Sequence, residues 1–314
     1  MLMNRRHWLA LAPISCLAAS FCYVSAAGSA DAVHSLEIAD RVAKFQAFYA
    51  EATVKPLDAD ARWALWKRDY DIAAVPPGSD GDAMARRLLD GAWGNYPALM
   101  PALPKLQRQA EANAHEAFDR INALFETKGT PIQSRVVFYV GQFDNNAYTV
   151  PPMEGHPATV MMPIENVELR LILAHELTHS VQMQLAHVKN SFGAPVGETM
   201  FLEGLAMRTA QNVFPGKPDA AYTQMPGDGD WLVQCNRKKD TVLAGITADL
   251  NKSGREIATK YTFGQGNTGM HREAYCAAWI VMGKILDSGG TLPELARIPE
   301  DQMVATIRAA MVGR

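Results

Sequence analysis

Leu173-Ala174-His175-Glu176-Leu177-Thr178-His179-Ser180, within an apolar-rich segment at residues 167–187, decides how the rest of the chain is read. Two histidines four positions apart on an α-helix lie about 40° apart around its axis, so both imidazoles leave one face. That arrangement grips a single zinc ion, with Glu176 between them placed to act on a water at the metal. The surroundings of this HExxH run must then supply a third ligand, a cleft and a helix partner.

The 314-residue chain is 48% hydrophobic, enough for a core in one large domain or two small ones. A net charge of −3 with 20% charged residues points to neither nucleic acid nor an anionic membrane surface. At the amino terminus Arg5 and Arg6 precede an apolar stretch at residues 8–24, and Val24-Ser25-Ala26-Ala27 offers small residues for cleavage. This layout predicts a signal peptide at residues 1–26 and export, periplasmic or secreted, with no stable membrane insertion after removal. The arginine pair also fits a twin-arginine signal, so the export route stays open. Two cysteines then remain, Cys235 and Cys276. Such a pair forms a disulfide or stays as two buried thiols, depending on a Cα separation that sequence does not supply. Neither has a second Cys or His at C-x-x-C spacing, so neither is read as a zinc ligand.

The organisation predicts an α+β fold, mostly helical. Residues 27–130 read as a helical N-terminal region, broken at Pro76-Pro77-Gly78 and at the proline-rich residues 96–104. Leu106, Ala110, Ala114, Ala117, Phe118, Ile121 and Phe125 form one apolar stripe at helical spacing, with His115 beside it as a surface or packing residue. Strands are expected at 135–140, 147–150 and 158–162, the first rich in β-branched and aromatic residues. Asn166 is the expected cap of the motif helix, and a second helix is expected from Gly197 to about Val213, ending before Pro215-Gly216. Residues 131–314 would form the catalytic region.

A catalytic zinc takes three protein ligands and keeps one position open. The extended HExxHxxGxxH pattern is excluded, because Gln182 and Leu185 stand where its glycine and histidine belong. His187 lies too far along the same helix. Glu198 and Glu203 on the next helix are about 140° apart around it, so one of them faces the metal. Beside Glu203, Gly204 and Ala206 would let this helix approach the motif helix closely. Glu198, near the helix start, also suits capping, the helix dipole, or orienting a ligand histidine.

His175-Glu176-x-x-His179 followed by Glu203-Gly204-x-Ala206 resembles the gluzincin class of zinc peptidases, which includes thermolysin and the zinc aminopeptidases. The spacing from His179 is longer to Glu203 than in those enzymes, whereas that to Glu198 fits them better. The longer spacing is similar to a family of predicted zinc-dependent proteases of undefined substrate. Tyr275-x-x-x-Trp279-Ile280-x-x-Gly283 and Leu292-Pro293-Glu294-Leu295 resemble that family too. The resemblance implies a zincin-like fold, a small mixed sheet with an edge strand over the HExxH helix. It also implies one Zn²⁺ held by His175, His179 and Glu203, a peptide or protein substrate, and Glu176 as general base. A Tyr or His from well downstream would stabilise the oxyanion; His271, Arg272 and Tyr275 are the candidates for that donor, with Tyr275 first, His271 second and Tyr261 third.

Two other patterns point elsewhere. Pro152-Met153-Glu154-Gly155 partly resembles the element with which aminopeptidases hold a free amine, and Gly264 to Gly269 spells GxGxxG. The latter follows polar Lys260-Tyr261-Thr262 instead of a buried strand, so it reads as a loop beside the cleft. The alternative from another class is a catalytically silent zincin-shaped protein whose zinc only joins helices, against which an intact Glu176 speaks.

Overall fold

β1 (Ser35–Asp40) opens the described part of the chain with alternating Leu36 and Ile38 turned toward the core. The computed structural model describes residues 33–55, 57–75, 78–189, 193–223 and 229–312; the expected signal peptide lies outside them. After β1 come α1 (Val42–Val54), α2 (Ala59–Asp69), α3 (Ser79–Ala92), α4 (Tyr96–Leu99) and α5 (Leu103–Leu124). Then follow β2 (Gln133–Tyr139), β3 (Tyr148–Val150), β4 (Ala158–Pro163), α6 (Leu169–Leu185) and α7 (Val196–Val213). The remaining helices are α8 (Ala220–Thr223), α9 (Trp231–Thr247), α10 (Arg255–Ala258), α11 (Glu273–Asp287), α12 (Leu292–Leu295) and α13 (Glu300–Val312). The fold is mostly helical α+β, with no described helix long and apolar enough to cross a membrane.

The four strands form one mixed sheet in the order β1-β2-β4-β3. β1 and β4 flank β2 in parallel, and β3 runs antiparallel to β4 at the edge. Sequence reading assigns no strand to residues 35–40; the short Leu36-x-Ile38 alternation is the signal that marks it. At residues 96–104 the expected break is instead a run of short helical turns, with Pro97 and Pro104 in the first turns of α4 and α5. Proline is tolerated there because its missing N–H has no intrahelical acceptor to lose.

α6 is buried nearly all round, from Leu169 through Met183, and is wedged between α5, α7 and the sheet. Ser180, next to His179, hydrogen-bonds Ser134 of β2 at 2.7 Å and ties the motif helix to the sheet centre. Asn166 does not cap α6. Glu168 precedes the helix without a side-chain cap, and Asn166 Nδ2 donates to Asn145 O at 3.5 Å, reaching the segment before β3 instead.

α7 packs on both α6 and α11. Gly204 does allow a close helix approach, but toward α11 and not toward α6. A Cβ built there would stand 2.8 Å from Ala278 O and 3.0 Å from Met282 Cβ. The reason is angular: Glu203 points at α6, and the following residue is turned about 100° around the axis. A disulfide joins Cys235 of α9 to Cys276 of α11, with Cα atoms 5.6 Å apart, which resolves the open question about the two thiols.

Candidate metal centre

Three side chains on α6 and α7 converge. His175 Nε2 and His179 Nε2 are 3.2 Å apart, and Glu203 Oε2 lies 3.0 Å from the first and 3.7 Å from the second. A tetrahedral zinc with ligands at about 2.0–2.1 Å has ligand atoms about 3.3 Å from one another, so this donor set fits the ion in chemistry and in span. Burial would raise the Glu203 carboxyl, but the charges and hydrogen bonds of His179 and His175 outweigh it and hold the carboxyl well below the usual carboxylate range.

Glu176 is buried next to these three without joining them. The Thr149 hydroxyl, on edge strand β3, donates to Glu176 Oε2 at 2.7 Å and also lies 3.0 Å from the Glu176 backbone oxygen. Strand alternation turns Thr149 toward α6, so the strand lies over the motif helix with one hydroxyl aimed at the carboxylate. Nothing in the local sequence marks Thr149 as a partner of Glu176. Its contact spans 27 residues, and only the β3–β4 register reveals which strand face meets α6.

The edge strand is held from behind. Glu165 accepts from the backbone N–H groups of Gly141 and Phe143, and Asn146 Nδ2 donates to Ala74 O at 3.1 Å. A cleft runs past β3 in two connected parts. One, of about 180 Å³, is lined by Tyr148, Thr149, His179 and Glu203. The other, of about 320 Å³, extends past Asp144, Asn145, Leu171, Met207 and Arg272. His175, Glu176 and Tyr275 line both.

Of the downstream candidates, Tyr275 stands at the cleft beside Glu176 and Glu203. Burial, then the Glu203 charge, raise its phenol above the ordinary tyrosine value, so it stays a protonated donor at neutral pH. His271 lines only the larger part, is exposed, and its Nε2 lies 2.6 Å from Phe263 O. Tyr261 is not brought in, since its hydroxyl donates to Asp249 Oδ2 at 2.6 Å inside the core. Met153 and Glu154 lie in the exposed β3–β4 turn and line neither part. The GxGxxG loop closes on its own chain: Asn267 N, Thr268 N and the Thr268 hydroxyl donate to the buried Glu273 carboxylate, which fills the place an anion would take.

The model for predicted Zn-dependent proteases (DUF2268) matches residues 115–302, which contain the His-His-Glu cluster, Glu176 and Tyr275. The chain belongs to that family. No curated protein matches it, and no solved structure does. The family is described as predicted zinc-dependent proteases, with no substrate specified, and the donor cluster at α6 and α7 agrees with zinc.

Glu198 shares α7 with Glu203 but is absent from the donor cluster. It hydrogen-bonds neither ligand histidine, and its buried Oε1 has no partner. Burial, then the charge of Glu300 on α13, pushes its carboxyl up to about 7 from 4.5. Ionisation therefore opposes folding: the penalty is absent below about pH 4.5 and complete above about pH 7. The helix dipole opposes this by under about 1 kcal/mol. Glu198→Gln is expected to stabilise the protein by about 1–3 kcal/mol at pH 8 and to change little at pH 4. Urea midpoints at the two pH values measure this; equal shifts at both would remove the ionisation argument.

Proposed function

We propose that the protein is an exported zinc-dependent peptidase of the gluzincin type, with a zincin-like arrangement of edge strand over motif helix. The observation that carries this reading is the convergence of His175, His179 and Glu203 within bonding span of one ion, beside a Glu176 that is not itself a ligand. Cys235–Cys276 supports an oxidising compartment and so agrees with the signal-like amino terminus. Edge strand β3 offers backbone groups with which an extended peptide could pair, and such a peptide would pass beside Glu176.

Zinc held by the three ligands would act as a Lewis acid and make water acidic enough to attack at neutral pH. Glu176 takes a proton from the water as its oxygen bonds to the peptide carbonyl carbon. Tyr275 donates a hydrogen bond to the carbonyl oxygen as negative charge collects there. The C–N bond then breaks while Glu176 returns the proton to the leaving nitrogen, giving a carboxylic acid and an amine. Thr149 orients Glu176 through both events.

Metal content tests the ligand set. Glu203→Ala is expected to fall from about one zinc per chain to below about a tenth, with hydrolysis lost, because two histidines leave the tetrahedron short of a protein ligand. Glu198→Ala should keep the zinc. Zinc retained by Glu203→Ala but lost by Glu198→Ala would reverse the assignment.

A further inference from the structure

Arg272 lines the larger part of the cleft together with His175, Glu176 and Tyr275. It is only 8% exposed, and its guanidinium lies 3.8 Å from the centroid of the Tyr275 ring. A guanidinium this little exposed ordinarily meets a carboxylate, because desolvating the charge without one is costly; here it lines the cleft with the Tyr275 side chain as its neighbour. Among the described residues Arg272 has no ion pair. The acids lining this part of the cleft are otherwise engaged: Glu176 accepts from Thr149, and Asp144 accepts backbone hydrogen bonds. Adjacent Glu273 is turned away and saturated by the 267–268 loop. The backbone adds to this, since Arg272 sits at φ +57°, a left-handed conformation that costs a non-glycine residue about 1 kcal/mol.

The direction of the edge strand says which end of a peptide would meet this charge. A substrate pairing antiparallel with β3, the better-bonded arrangement, runs from Val150 toward Asn146. Its C-terminal side then enters the part lined by Asp144, Asn145 and Arg272. Leu171, Ile172, Met207 and Ala210 give that part an apolar wall, suited to an apolar side chain next to the cut bond.

Resting on the peptidase reading, we propose that Arg272 binds a substrate carboxylate on the leaving-group side of the cleaved bond. The apolar wall fits the free C-terminus of a peptide ending in an apolar residue; an Asp or Glu side chain offers the same chemistry. Arg272 is thus the residue that selects peptides cut near their C-terminal end.

Direct binding tests this, using zinc-loaded Glu176→Gln protein and N-terminally fluorescent Ala-Ala-Ala-Ala-Leu as free acid, as amide, and as the amide with Glu in place of Leu. The free acid should bind at least about tenfold more tightly than its amide, as a charge-assisted hydrogen-bonded pair allows. Arg272→Met should bring the acid to the affinity of the amide in the same variant, and Arg272→Lys should restore part of the preference. Tight binding of the Glu-containing amide would assign the carboxylate to a side chain. Equal binding of all three peptides to the parent overturns the proposal without any variant. A preference for the acid that survives Arg272→Met overturns it as well, because the carboxylate then sits elsewhere, on the metal for example. If wild-type protein cleaves no peptide yet keeps the Arg272-dependent preference, the peptidase reading fails and the carboxylate site stands.

Discussion

Glu176→Gln protein is expected to hold as much zinc as the parent, about one ion per chain on the proposed ligand set, and to hydrolyse peptides about a thousandfold more slowly. The two results together define the role of Glu176. The amide has the shape of the carboxylate and can still accept the hydrogen bond from Thr149, so the local packing of α6 and β3 survives. It cannot accept a proton, and the proposed reaction needs Glu176 to take one at attack and to give it back at expulsion of the amine. General-base assistance is worth about 10²–10⁴ in rate, which sets the size of the loss. Zinc measured on the same sample separates this from a ligand defect. Hydrolysis within tenfold of the parent would end the general-base assignment, and zinc lost along with activity would make Glu176 a ligand. A parent protein that cleaves nothing in an unbiased peptide library would favour the silent, zinc-binding alternative.

The second large effect falls on stability. Gly204→Val is expected to cost about 3 kcal/mol or more and to weaken zinc retention. Its added carbons would enter the contact with α11, where the backbone oxygen of Ala278 stands only 2.8 Å from the place a Cβ would take. A backbone atom in a buried helix cannot swing aside as a side-chain tip does, so α7 and α11 must separate. Gly204→Ala meets the same wall with one methyl, partly offset by the roughly 1 kcal/mol that alanine gains over glycine inside a helix. Gly91 is the control: it lies in α3 with nothing within 4 Å, and Gly91→Ala should stabilise by about 0.5–1 kcal/mol. Thermal and urea unfolding of the three variants measure this. A Gly204→Val protein as stable as the parent would mean the helices do not approach as closely as described. Glu203 precedes Gly204, so a displaced α7 also moves the third donor.

Much of this centre is legible because helix geometry is local. His175, Glu176 and His179 need only their spacing, and Glu203 stands out by its neighbours Gly204 and Ala206. The strands at 133–139, 148–150 and 158–163 carry their own alternation or β-branched content, which places them within a residue or two. What escapes sequence reading depends on register and orientation. Thr149 meets Glu176 only because β3 lies at the sheet edge with that face toward α6. Gly204 invites a close approach in the sequence, but the partner helix is chosen by an angle of one residue. Asn166 looks like a cap and serves a neighbouring loop. Arg272 shows its character only once its burial and its lack of an acid partner are known.

The Cys235–Cys276 bond closes a covalent ring. Every described residue that lines the cleft downstream of Thr223, from Ala258 through Tyr275, lies on that ring, so one wall of the cleft is a loop tied at both ends. Tying a loop of this length removes disorder from the unfolded chain worth about 4 kcal/mol. A break in the exposed turn at residues 251–254 would leave both fragments attached, because the path through the sulfurs bypasses the cut.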